Sequence, residues 1–277
     1  MNRYKDMTPR NPLAFGRLVR LGVLLLGAFS LPALATERDL EFYLPPGEVV
    51  WLNHNDNQYL LLEREYETPY LRGNLLFIPE WNTHPLQSHF LSLLYKNMPA
   101  FGWNTHALQP PLNSSETISW NESADSRYPS PAAAELREPF KTDLLHRIEQ
   151  AQQHSAQYGG ANIWVVEGIS AGFVVELLNE QKLPAPDALI VVGIYFPQWQ
   201  LNENLATTLA RFSFPILDLV AQNSNSWVSA TAELRQKEAR KHQHLGYRQR
   251  LLSATYYGAE HEIAVNLLRG WLNQEGF

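Results

Sequence analysis

Residues 162–180 of the 277-residue chain, NIWVVEGISAGFVVELLNE, constrain its fold more than any other stretch, because three local signals change there in a fixed order. Residues 163–166 form a short apolar run of the kind that makes a buried strand. Gly168-Ile169-Ser170-Ala171-Gly172 follows and satisfies G-x-S-x-G, and Phe173, Val174, Leu177 and Leu178 then fall at helical spacing. Strand, sharp turn and helix in that order make a nucleophile elbow. The turn is expected to hold Ser170 in a strained backbone conformation and lift its Oγ above the sheet, while side chains at 168 and 172 would collide with the flanking strand and helix. The Ala171 amide is then expected at a helix N-terminus, where unpaired N–H groups and the helix dipole favour a developing oxyanion.

The rest of the chain alternates strand and helix signals around this stretch. Residues 48–54 and 58–67 are two strand-like runs joined by Asn55-Asp56-Asn57 and read as an antiparallel hairpin. Residues 74–78 (NLLFI) are apolar throughout, as in a strand buried on both faces, and residues 79–85 form a turn-rich loop at its end. That loop stands where the second oxyanion N–H of an elbow enzyme comes from, so the amides of Glu80 and Trp81 join Ala171 as candidates. A helical stripe at 90–98, a strand at 103–108, a helix through Leu144, Leu145, Ile148 and Ala151, and strands at 188–194, 214–220 and 251–257 follow. Ile263, Ala264, Leu267, Leu268, Trp271 and Leu272 mark a final helix. Residues 109–139 are rich in Pro, Ser, Asn and Glu and keep no period, as in a long loop over a site or a solvated insertion. This order implies an α/β domain with a mostly parallel central sheet, an N-terminal antiparallel hairpin and helices on both faces.

The N-terminus reads differently. Five Lys and Arg precede an apolar run at 21–35 that closes with Ala33-Leu34-Ala35, the pattern of a signal peptide over residues 1–35; at 15 residues the run is short for a membrane span. Residues 36–277 are then a single exported domain, periplasmic or secreted, with no stable membrane span. Five of the 22 Lys and Arg but only one of the 28 Asp and Glu fall before residue 36, so the remainder carries a net charge of about −10, which argues against nucleic acid as a partner. With no cysteine, a disulfide framework, a thiolate nucleophile and a Cys-type zinc site are all excluded.

The chemistry expected is acyl hydrolysis of a small ester-like substrate, with no cofactor and no metal. Ser170 is the nucleophile and His261, between the last strand and the last helix, the general base, in the chain order Ser, acid, His. The acid position is poorly filled. The segment after 214–220 reads Ala221-Gln222-Asn223-Ser224-Asn225-Ser226, without a carboxylate. Asp218 is the best carboxylate in chain order but lies within the strand, about 20 Å before Ser224 at strand rise, which suits a structural role better. Three arrangements remain open: Asp218 acting from an unusual position, Glu260 or Glu262 orienting His261, or a dyad or remnant with no acid. The other histidines (54, 84, 89, 106, 146, 154, 242 and 244) read as surface or structural, and the 240–244 run as a solvated helix face.

From EVVWLNH through NLLFIPEWNTHP, FGWNTHALQPP, WVVEGISAG and FPILDL to GAEHE, the chain resembles a family of exported proteobacterial α/β-hydrolase-like proteins of unknown function. The resemblance implies an α/β-hydrolase fold and an esterase-like site. The chain departs from the active pattern at Pro79-Glu80, where many lipases and esterases carry His-Gly, and at the Asn/Ser-rich acid loop. Those departures give the competing expectation, a binding or scaffolding protein of the cell envelope that keeps the fold without the chemistry.

Overall fold

In the computed structural model the described residues are 41–42, 44, 47–54, 57–111, 134–221, 224–252 and 260–277, and residues 45–277 form one compact unit. Of residues 260–262 the backbone alone is described. Eight strands make one sheet: β1 (Val49–His54), β2 (Asn57–Arg64), β3 (Gly73–Ile78), β4 (Trp103–Leu108), β5 (Ala161–Glu167), β6 (Ala188–Val192), β7 (Ile216–Ala221) and β8 (Tyr247–Leu252). Their order across the sheet is β1-β2-β4-β3-β5-β6-β7-β8. β1, β2 and β4 pair antiparallel, and all pairs from β4 through β8 are parallel. The described helices are α1 (His89–Asn97), α2 (Ala134–Ser155), α3 (Gly168–Asn179), α4 (Trp199–Leu209), α5 (Ser226–Lys241) and α6 (Glu260–Glu275). Among the described residues no helix is long and apolar enough to cross a membrane.

The central strands follow from their sequences. NLLFI of β3 and ALIVV of β6 are buried at every residue, because parallel strands linked by helical crossovers are covered on both faces. Leu75, Phe77, Trp164 and Val166 are fully buried, and each such side chain contributes about 1.5–3 kcal/mol of transfer free energy. The order in which parallel strands are added reverses between β3 and β5: the chain goes from β3 outward to β4 on one side and then crosses to β5 on the other. At that switch point the loops leaving the two strands part and open a crevice at the carboxyl edge.

Three elements depart most from the sequence reading. The last strand is β8, four residues earlier than the expected 251–257, of which 253–257 lie outside the described residues. YRQRLL pairs only with β7, and an edge strand tolerates exposed charge such as that on Arg250. Helix α2 starts at Ala134 and takes in Pro139, inside the expected 109–139 loop; proline at its sixth position forfeits one backbone bond. Residues 112–133 of that loop lie outside the described residues. Helix α4 was not foreseen. Its N-cap is Gln198, whose side chain accepts the Leu201 amide at 2.7 Å, a role that caps of the Ser or Asp type usually fill.

Candidate functional site

At the switch point the strand–helix junction lies one step earlier than the motif suggests. β5 ends at Glu167 and α3 begins at Gly168, with φ +59 at Gly168; Ser170 is absent from the positive-φ residues. The strained elbow residue is therefore Gly168, and the position from which an elbow nucleophile projects carries no side chain. Ser170 is the third residue of the helix, fully buried, and its Oγ has no hydrogen-bond partner. The expectation that the turn lifts Ser170 Oγ above the sheet is corrected accordingly: in the first turn of α3 the hydroxyl points into packed protein. Ala171 is also corrected. As the fourth helical residue it is fully buried, and its amide belongs to the ladder that closes on the Glu167 carbonyl. Gly172 is required by an aromatic ring, since a Cβ there would stand 2.7 Å from Cζ of Phe196.

In an elbow of this kind the first oxyanion donor is the amide after the junction residue, here Ile169. That amide is already occupied: Ile169 N–H donates to Oε1 of Glu80 at 2.9 Å. The Glu80 carboxyl lies over Gly168 so closely that a Cβ on Gly168 would fall on it, within 2.8 Å of Oε1 and nearer still to Oε2. The loop after β3 thus contributes a side chain to the oxyanion position where an amide was expected. The backbone amide of Glu80 serves Glu167, whose carboxylate it stabilises. Trp81 packs its indole edge-on against Phe140, centroids 5.7 Å apart, and against the core.

Two carboxyls therefore face the crevice. Burial drives the Glu80 carboxyl up to about 8; the Ile169 hydrogen bond opposes that shift and the charge of Glu167 adds to it. Burial also raises Glu167, against the Ser88 hydroxyl, which donates to Oε1 at 2.9 Å, and the Glu80 amide. Ser88 is at the same time the N-cap of α1, accepting the Leu91 amide at 3.4 Å. Burial and the nearby Glu80 push the Tyr195 hydroxyl up as well, against a hydrogen bond with Asn225. Glu80, Ser88, Glu167, Gly168, Tyr195 and Asn225 line an open cleft of about 350 Å³. At neutral pH Glu80 is predominantly protonated, so its carboxyl keeps an O–H donor alongside the acceptor used by Ile169.

The expected triad does not assemble among the described residues. Asp218 is fully buried in mid-strand, paired in register with Val191 and Gln249. Arg235 grips both of its oxygens, Nε to Oδ2 at 2.7 Å and Nη2 to Oδ1 at 3.3 Å, and Tyr247 Oη and Gln249 Nε2 donate to Oδ2 at 2.5 and 2.9 Å. A fully buried carboxylate held by four hydrogen bonds from Arg235, Tyr247 and Gln249 is engaged in packing β7 against α5 and β8. After β7, the Ser224 hydroxyl donates to the Ala221 carbonyl and Asn225 caps α5 through the Val228 amide, while Gln222 and Asn223 lie outside the described residues. His261 is the second residue of α6, and its side chain lies outside the described ones, as do those of Glu260 and Glu262.

Sequence reasoning missed two groups. Glu80 was read for its amide and as a departure from the His-Gly pattern, but its carboxyl was not foreseen as the occupant of the oxyanion position. Glu63, His106 and His154 come together although they stand far apart in the chain, against the expectation that no ligand cluster exists.

A family model described as "Protein of unknown function (DUF3530)" matches residues 33–274. The chain belongs to this family. No curated protein matches the sequence of this DUF3530 member. Its fold is shared with esterase 2 of Thermogutta terrifontis in a propionate-bound structure, at 14% identity and TM-score 0.60, over 85% of this chain and 97% of that one. Est1E from Butyrivibrio proteoclasticus superposes at 7% identity and TM-score 0.58, over 82% and 98%. A soluble variant of monoglyceride lipase from Saccharomyces cerevisiae does so at 11% and 0.56, over 82% and 95%. At these identities the likeness is one of fold, and it makes this DUF3530 chain an α/β-hydrolase-fold protein.

Proposed function

We propose that this DUF3530 protein is a non-hydrolytic member of the α/β-hydrolase fold, a binding protein of the cell envelope that uses the crevice at the switch point for a small polar ligand. The observation that carries the reading is the Glu80 carboxyl over Gly168, hydrogen-bonded to the Ile169 amide. Acyl transfer needs a projecting nucleophile and an empty donor for the oxyanion. Here the projecting position is a glycine and the donor is engaged. The cleft instead offers paired carboxyls with Tyr195, Ser88 and Asn225, a set suited to a ligand that donates hydrogen bonds. Export rests on the leader pattern of residues 1–35.

The competing reading is a periplasmic serine esterase that uses Ser170 and His261. What supports it is the fold shared with esterases and the unpartnered Oγ of Ser170, which an opening of the first turn of α3 would free. A fluorophosphonate probe separates the two. The non-hydrolytic reading expects no labelling of the purified chain beyond that of Ser170→Ala; stoichiometric labelling lost in Ser170→Ala overturns it in favour of the esterase. Export is checked by osmotic-shock fractionation of a Gram-negative host, with a mature N-terminus at residue 36 expected in the periplasmic fraction.

A further inference from the structure

Away from the crevice, Glu63 near the end of β2 faces His106 as its register partner on β4, and His154 reaches them from the last turn of α2. One ligand atom from each lies within 4.8 Å of the others. None of the three lines the crevice. Asn74 decides the state of the buried ring. Its Nδ2 donates to the Gly159 carbonyl at 2.8 Å, which fixes the amide orientation and presents Oδ1 to His106 Nε2 at 3.2 Å. That same Oδ1 accepts from Asn104 Nδ2 at 3.1 Å, so it is an acceptor and Nε2 carries a hydrogen.

In the neutral imidazole Nδ1 is then a bare lone pair. It is buried, and the one group it faces is Glu63 Oε2 at 3.3 Å, too poorly aligned for a hydrogen bond. Nε2 of the partly exposed His154 meets the same oxygen, and the Tyr158 hydroxyl donates to the other, Oε1, holding the carboxylate plane. The His106 Nδ1 lone pair and the Glu63 oxygen, brought face to face in this way, need a proton or a cation between them, whereas His154 Nε2 meets that oxygen as a donor or, once bare, as a ligand.

We propose that Glu63 Oε2, His106 Nδ1 and His154 Nε2 form a binding site for a divalent first-row transition cation of the zinc class, with a coordination position open on the solvent side of His154. Two imidazoles and a carboxylate are a donor set zinc favours, and three protein ligands leave room for a fourth group. Tetrahedral bonds of about 2.0–2.1 Å place ligand atoms about 3.3 Å apart, the spacing found between Nδ1 and Oε2, while His154 Nε2 lies closer to Oε2 and has to draw back to ligate. The His106 hydrogen bond to Asn74 supplies the outer contact that orients a ligating imidazole.

The test is equilibrium dialysis of Zn²⁺ against the purified chain after chelator treatment. One equivalent per chain is expected, with Tm raised by about 5 °C or more at saturation. His154→Gln should weaken binding at least tenfold. His146→Gln, which removes the separate stacked pair with His54, should leave it unchanged. Should His154→Gln not fold, Co²⁺ added to the wild type decides through the visible absorption of a four-coordinate nitrogen and oxygen site. No stoichiometric binding, binding unaffected by a folded His154→Gln, or no such Co²⁺ band overturns the proposal.

Discussion

Glu80 and Ile169, 89 residues apart, are joined by one hydrogen bond of 2.9 Å, and that bond seals the strand–helix junction at the centre of the sheet. A carboxyl from the loop after β3 takes the donor that an elbow would keep free, and it does so over the residue with φ +59. The two features depend on one another: the carboxyl needs the missing Cβ, and the buried first-turn amide of Ile169 needs an acceptor.

Gly168→Ala should therefore cost about 2–4 kcal/mol, from the positive φ and from displacement of the Glu80 carboxyl. The test is a double-mutant cycle by denaturant unfolding with Glu80→Ala. A coupling energy of at least about 1 kcal/mol is expected, and strictly additive effects would show that the two residues do not compete for the same space.

The raised Glu80 predicts a pH dependence. Its carboxyl binds a proton up to about pH 8 when folded but only to about 4.5 when unfolded, so the folded chain holds the extra proton and stability falls as pH rises between those values. At about 1.4 kcal/mol per unit the full span corresponds to a few kcal/mol. Glu80→Gln keeps an acceptor for Ile169 and removes the titration, so its Tm should vary less between pH 5 and 8 than that of the wild type. Parallel Tm profiles would contradict this.

Asp218→Asn removes the charge from a buried ion pair with Arg235 and should cost about 3–5 kcal/mol, a fall in Tm of about 10 °C. An exposed catalytic acid would cost far less. Thermal melts decide, and a loss below about 1 kcal/mol would be inconsistent with the four-donor shell.

Ser170→Ala deletes a buried hydroxyl without a partner, so it should leave stability unchanged or raise it by up to about 1–2 kcal/mol. A loss of more than about 1 kcal/mol would mean that the hydroxyl has an acceptor after all.

Much of the sheet could be read from single segments, because a strand covered on both faces must be apolar throughout, as β3 and β6 are. The hairpin was legible for a related reason: a polar turn between two strand-like runs leaves few other folds. The junction was not. In VVEGISAG both Gly168 and Ser170 are small enough for an elbow, and the motif does not say at which residue the helix begins. What sets that point is tertiary, the Glu80 carboxyl on one side and the Phe196 ring against Gly172 on the other. β8 was misplaced because an edge strand does not need the apolar signature of a central one. Glu63, His106 and His154 carry no local pattern, since strand pairing and the seat of α2 alone bring them together.

The packing at the junction also limits which replacements it accepts. A serine placed at 168 meets the Glu80 carboxyl, so that step is unfavourable by itself. Shortening Glu80 first leaves an unfilled amide and no hydroxyl to use it. Neither replacement alone supplies both a hydroxyl at 168 and a free Ile169 amide, so the two positions have to change together. The Glu80 carboxyl thus ties positions 80 and 168, far apart in sequence, into one unit of change.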